Sequence, residues 1–203
     1  MKDKILSVFI WLMCNFLPYT YAGEKVMEPP HSIQEAIFAM GCFWCGAAAF
    51  AHHETDEKLP GIVEVRVGFT GGVSSNLTYA SHEGHQEAVK VVFDSKKISY
   101  AQLLDIFWHN IDPFDGDGQF CDKGNAYKAS IFFQNADQEK QAQASKDALE
   151  KRLGKSVVTA LKVATPFYDA EDYHQDYKTK NPIRYEIYRW NCGRDKRLKE
   201  IWG

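Results

Sequence analysis

Residues 35–53 read EAIFAMGCFWCGAAAFAHH, and the change of character at Gly41 decides how the rest of the chain is read. EAIFAM (35–40) is a short apolar run, as expected of a buried strand. After Gly41, CFWCGAAAFAHH is rich in alanine and suits a helix with apolar residues on several sides. Two cysteines therefore stand where a strand ends and a helix begins. A helix start carries unpaired N–H groups and partial positive charge. Both favour the thiolate of Cys42, the form that attacks. Cys45 lies one turn further on, on the same side.

Working outward, Pro60-Gly61 marks a turn and IVEVRVGF (62–69) alternates as a strand does. AVKVVF (88–93) is a second such strand. SYAQLLDIFWHN (99–110) is an amphipathic helix with Ser99 as its N-cap. Residues 112–125 hold Pro113 and several glycines and form a long loop, a feature often tied to function. YKASIFFQ (127–134) is a strand, 136–153 a helix stopped by Gly154, and VTALKVA (158–164) a strand. A short helical piece is expected near 170–175. The order β-α-β-β-α-β-α-β predicts an α+β fold, a two-layer sandwich with a mixed sheet and a split βαβ, ferredoxin-like core. This domain runs from 35 to 203, including a C-terminal tail.

The N-terminus reads differently. MKDK is followed by the apolar run ILSVFIWLMCNFL and then PYTYAGE. That is the pattern of a secretory signal peptide over residues 1–22, cut after Ala22. The run is too short for a comfortable membrane span, and Met13 argues against lipid attachment at Cys14. Residues 23–34, with Pro29 and Pro30, read as a linker. The expectation is an exported, periplasmic protein with no stable membrane insertion once the signal is gone, acting as a monomer. Loss of Lys2, Lys4 and Asp3 takes the formal charge from −3 to −4. With 45% hydrophobic and 25% charged residues, the chain can build one sizeable core. No basic patch offers itself to a nucleic acid; the basic cluster at 194–197 reads as a solvated helix face.

Of five cysteines, Cys14 leaves with the signal, and Cys42, Cys45, Cys121 and Cys192 remain. Disulfides persist in exported proteins, but a domain of this size stands on its own core. Chemistry is therefore the better account. A thioredoxin-type redox pair would use the Cys42–Cys45 spacing, but normally with small residues or proline between. A four-sulfur zinc site would want a second close pair, and Cys121 and Cys192 are far apart. Phe43 and Trp44 can fill core or wall a small methyl- or sulfur-bearing group. In HEGHQE (82–87), His82 and His85 lack the zinc-protease spacing. Glu87, opening a strand in an aromatic setting, is a candidate proton donor if burial raises its pKa.

Taken in order, GCFWC, TGG (70–72), GHQEAVKVVFD (84–94), LLDIFWHNIDP (103–113), FCDKGNAYKASIFF (120–133), TPFYDAEDYHQDY (165–177) and KNP (180–182) form a set. It resembles the A-type peptide methionine sulfoxide reductases over residues 35–203. The resemblance implies that Cys42 is the catalytic cysteine and that Phe43 and Trp44 bind the substrate methyl. Glu87 would protonate the sulfoxide oxygen, with Tyr79, Asp122 and Tyr127 orienting it. The implied reaction reduces the S-epimer of methionine sulfoxide, free or in oxidised proteins. It passes through a Cys42 sulfenic acid and a disulfide, reset by an external, thioredoxin-like dithiol, with no metal and no other cofactor. The chain departs from the family at Cys45, where many members have glycine, and in its charged tail. The second thiol is thus Cys192, swinging in on a mobile tail, or Cys45, whose bond to Cys42 would require unwinding a helical turn; Cys121 is a third choice. A thiol–disulfide oxidoreductase working through Cys42–Cys45, or a binding domain with structural cysteines, are the competing readings.

Overall fold

The structure is a computed structural model that describes residues 32–51, 58–75 and 77–203. The expected signal peptide at 1–22, with Cys14, and the expected linker up to residue 31 lie outside the described residues, as do His52 and His53. The elements in chain order are β1 (Ile33–Ala39), α1 (Phe43–Ala48), β2 (Ile62–Thr70), β3 (Gln86–Asp94), α2 (Tyr100–His109), β4 (Gly118–Gln119) and β5 (Asp122–Lys123). A single 3-10 turn (Asn125–Tyr127) precedes β6 (Ser130–Phe133), α3 (Ala136–Leu153), β7 (Ala160–Val163) and β8 (Tyr168–Asp169). Three helices close the chain: α4 (Tyr177–Lys180), α5 (Pro182–Asn191) and α6 (Arg194–Trp202). The linker therefore ends earlier than expected, since Ile33 and Gln34 already pair in β1.

Six strands form one mixed sheet in the order β7-β6-β1-β3-β2-β8, antiparallel throughout except for the parallel β6–β7 pair. β1 and β3 are central and buried on both faces, which is why EAIFAM reads as an apolar run rather than an alternation. Ala36 and Phe38 face one side with Val67, Phe69, Val89, Val91 and Phe93. There they meet Phe43 and Phe50, Leu103, Leu104 and Phe107 of α2, and Ala142 and Leu149 of α3. Ile37, Ala39, Ala88 and Phe132 face the other side, where Ala164 and Phe167 cover them. The result is α+β, with the helices α1–α3 packed on one sheet face.

Local signals set the helix ends. The Ser99 side chain accepts from the Gln102 N–H while the Gln102 side chain accepts from the Ser99 N–H, a capping box. Asn135 caps α3, and Gly154 ends it in the left-handed region at φ 64°. Gly41 has φ +78°, and a Cβ there would come within 2.6 Å of Gln119 Cβ. Gln119 cannot retreat, because its amide is fixed by both the N–H and the carbonyl of Asp112. The turn from β1 into α1 therefore requires glycine.

The tail departs most from expectation. No helix forms at 170–175; the chain there makes turns, and the helices come later. Nor is the basic cluster wholly solvated. Arg194 is 1% exposed and donates to the carbonyls of Asn110 (2.9 Å) and Met40 (3.1 Å), while its guanidinium lies over the Phe120 ring. The tail is docked beneath the β1–α1 turn rather than mobile. Replacing Arg194 by alanine strands two buried carbonyls, so we expect a loss of about 2–4 kcal/mol. Urea unfolding measures it, and a change below about 0.5 kcal/mol, the usual range for surface substitutions, would show that the arginine is not a buried anchor.

Candidate active site

Cys42 is the N-cap of α1, with φ −50° and ψ 120°. It stands outside the helical turn while Cys45 lies inside it. Both sulfurs are unbonded and buried. The Phe43 N–H, first of the helix, donates to Glu87 Oε2 at 2.9 Å. The orphan donor expected to favour the Cys42 thiolate thus serves Glu87 instead. Burial pushes the Cys42 thiol well up, and its hydrogen bond with Cys45, the Cys45 charge and Glu87 push the same way. Cys45 behaves oppositely. The hydrogen bond from Cys42 leads in bringing it down to about 6, burial resists, and Arg194, Arg189 and Tyr185 assist. The pair therefore favours the proton on Cys42 over Cys45, against the helix-start effect that would lower the Cys42 thiol.

Glu87 is 2% exposed on β3. Burial raises its pKa to about 8; the Phe43 N–H opposes this, and the Asp122 and Cys45 charges add to it. At neutral pH the carboxyl holds its proton and can donate it.

Cys42, Phe43, Trp44, Tyr79, Glu87, Asp122 and Tyr127 line one small cleft of about 50 Å³. Every other sequence candidate for catalysis thus meets Cys42. Tyr79 and Tyr127 are hydrogen-bonded through their side chains, and burial raises the pKa of both, keeping them as O–H donors. Phe43 faces Tyr79 at 6.2 Å between ring centroids. Trp44 donates from Nε1 to His174 Nδ1 at 3.1 Å and stacks on Tyr177 at 3.7 Å. A cleft lined by aromatics together with an acid, hydroxyls and a thiol suits a small polar S–O group carrying a methyl.

Tyr188 also lines the cleft, and its hydroxyl donates to Asp122 Oδ2. Sequence reasoning missed it because its stretch read as a tail. His174 and Tyr177 fell inside the aromatic TPFYDAEDYHQDY segment, but nothing there marked them as supports of Trp44.

Cys121 and Cys192 form a disulfide, with Cα atoms 4.9 Å apart. They do not join Cys42 and Cys45 in a four-sulfur set. Nor does Cys192 swing freely, as the tail reading supposed. The pair brackets the site, since Cys121 adjoins Asp122 and Cys192 follows Tyr188 by one helical turn.

Residues 34–203 match the family model described as peptide methionine sulfoxide reductase. The chain belongs to this family. It is 45% identical over 172 residues to peptide methionine sulfoxide reductase MsrA 2 of Rhizobium meliloti, covering 84% of each chain. It is 46% identical over 173 residues to MsrA of Ligilactobacillus salivarius, covering 82% of this chain and 96% of that one. Among solved structures, methionine sulfoxide reductase A of Corynebacterium diphtheriae aligns with a TM-score of 0.64 at 30% identity, over 76% of this chain and 77% of that one. Reduced Mxr1 of Saccharomyces cerevisiae aligns with a TM-score of 0.67 at 26% identity, over 79% and 92%.

The state of Glu87 has a measurable consequence for this reductase. Its folded pKa of about 8 lies above its ordinary value of 4.5, so between those pH values the native state binds more protons than the unfolded state. Stability is then fully present below about pH 4.5 and is lost as pH rises through about 8. We expect a fall on the order of 3–5 kcal/mol across this window, flattened in Glu87→Gln. Denaturant titrations at several pH values test this; equal slopes in both proteins would mean that Glu87 is ionised.

Proposed function

We propose that this chain reduces the S-epimer of methionine sulfoxide to methionine in two thiol steps, acting on free or protein-bound substrate and so repairing oxidised proteins. The observation that carries the reading is the convergence of a nucleophilic sulfur, a protonated carboxyl and two hydroxyls on one aromatic cleft. Cys42 passes its proton along its hydrogen bond to Cys45 and attacks the substrate sulfur. Glu87 protonates the sulfoxide oxygen, otherwise a poor leaving group, while Tyr79 and Tyr127 hold it. The hydroxyl then passes from the substrate sulfur to Cys42: the substrate S–O bond breaks, an S–O bond to Cys42 forms, the transient sulfur–sulfur bond opens, and methionine departs to leave Cys42 as a sulfenic acid. Cys45 then attacks the Cys42 sulfur, and the oxygen leaves as water with the Cys45 proton. An external dithiol resets the Cys42–Cys45 disulfide by exchange.

Cys45 is the better second thiol because Cys192 is engaged with Cys121. A Cys42–Cys45 bond is also supported by the place of Cys42 at the N-cap, outside the first helical turn. The competing oxidoreductase reading is disfavoured by the lining of the cleft: Glu87, Tyr79 and Tyr127 meet at Cys42, and thiol–disulfide exchange has no oxygen for them to hold or protonate. The same proposal takes the core as a split βαβ, ferredoxin-like unit, supported by β3 lying between β1 and β2. It also takes the enzyme as an exported, periplasmic monomer. The apolar run after MKDK supports this, as does a disulfide of the kind that oxidising compartments preserve. The thiol donor would then have to act outside the cytoplasm.

Mixing the protein, with Cys121–Cys192 intact, with one equivalent of each epimer tests the scheme. The S-epimer alone should consume both free thiols and give a Cys42–Cys45 peptide on mass mapping. Cys42→Ser should be inert, and Cys45→Ser should leave a sulfenic acid that dimedone traps. A Cys42–Cys192 peptide in the wild type would overturn the assignment of Cys45.

A further inference from the structure

Attack on sulfur needs a Cys42 thiolate, yet most of its surroundings resist one. Lost water, the Cys45 sulfur and the Glu87 carboxyl all hold the proton on. Tyr188 acts the other way: it lines the same cleft and packs in the same cluster as Cys42, and its phenol favours the anion. The phenol has a single hydrogen to give, and at rest it goes to Asp122 Oδ2. The ring itself is firmly seated. It sits edge-on to Trp44 at 6.0 Å, and its neighbour on the inner face of α5, Tyr185, is 1% exposed. The helix end is bonded through Cys192 to the residue preceding Asp122.

We propose that Tyr188 is a further catalytic residue of this site, a hydroxyl that turns from Asp122 to the Cys42 sulfur as the thiolate forms. The ring stays in place and only the O–H rotates. Tyr188 loses no proton, because the Cys42 proton passes to Cys45. Asp122 then has two tasks: it faces the cleft, and it parks the Tyr188 hydrogen until Cys42 ionises. The assignment rests on reading Cys42 as the attacking thiol, but its test requires no sulfoxide.

The test is the pH dependence of Cys42 alkylation by iodoacetamide in a Cys45→Ser background, with Cys121–Cys192 left oxidised. Tyr188→Phe should raise the alkylation midpoint by about one to two pH units, the value of one hydrogen bond to a charged group. In the otherwise wild-type enzyme it should lower kcat about 10- to 100-fold and leave KM within about twofold. Asp122→Asn, which leaves only a neutral and weaker acceptor and keeps the phenol, should lower the midpoint, and should lower it less once Tyr188 is phenylalanine. A midpoint unmoved by Tyr188→Phe overturns the proposal whatever happens to turnover. If that variant does not fold, a midpoint that rises or stays put in Asp122→Asn overturns it instead. Failure of the wild type to reduce either epimer would strike at the sulfoxide reading and not at this result.

Discussion

The register between β1 and β3 is the constraint on which the site depends. The two strands run antiparallel, with Phe38 opposite Val89 and Ile37 opposite Lys90. The end of β1 therefore lies beside the start of β3. Glu87, near the beginning of β3, comes level with the turn that leaves β1 at Gly41, and the Phe43 N–H closes the gap. A slip of one residue would send Glu87 to the opposite sheet face. The large apolar side chains of both strands forbid that slip, because it would empty the helix-covered face of Phe38, Val89 and Val91. Core packing thus sets the distance between acid and nucleophile, 45 residues apart in sequence.

Around that fixed pair the chain arranges charge economically. A carboxyl and two thiols share a nearly water-free space, where several negative charges together are costly. Glu87 stays neutral by burial. Of the two thiols, Cys45 is the one drawn down, by its hydrogen bond with Cys42 and then by Arg194 and Arg189. Arg194 thereby links folding to chemistry: the same guanidinium that ties the tail to the carbonyls of Met40 and Asn110 biases the ionisation of the thiol pair. The tail, which carries Tyr185, Tyr188 and both arginines, is a wall of the active site and not an appendage.

Much of this was legible in the sequence for definite reasons. β1, α2 and α3 could be read because burial on both faces, a capping box and a Gly154 stop each leave a local mark. Cys42, Glu87, Tyr79, Asp122, Tyr127 and the two aromatics could be read because their motifs lie in order along the chain. What stayed hidden depends on distant contacts. Nothing local says that Arg194 is buried, since the carbonyls it serves lie more than 80 residues upstream. The partnership of Cys121 with Cys192 cannot be derived from spacing. Tyr188 looks like any helix-surface tyrosine until α5 docks. The reduced helix-start effect at Cys42 was also invisible, because it depends on which acceptor claims the Phe43 N–H.

The Cys121–Cys192 bond spans 71 residues of sequence, a loop that holds β5, β6, α3, β7, β8, α4 and α5. In the unfolded chain such a loop removes freedom worth about 4 kcal/mol in the chain-entropy view. That sum is comparable with the whole net stability of many domains. The second half of this protein is thus held in a ring whose clasp lies beside the catalytic cleft. Loss of the clasp would be felt first in the denatured ensemble, as a longer search for the docked tail, while the native contacts of Arg194 and Tyr185 would still be there to be found.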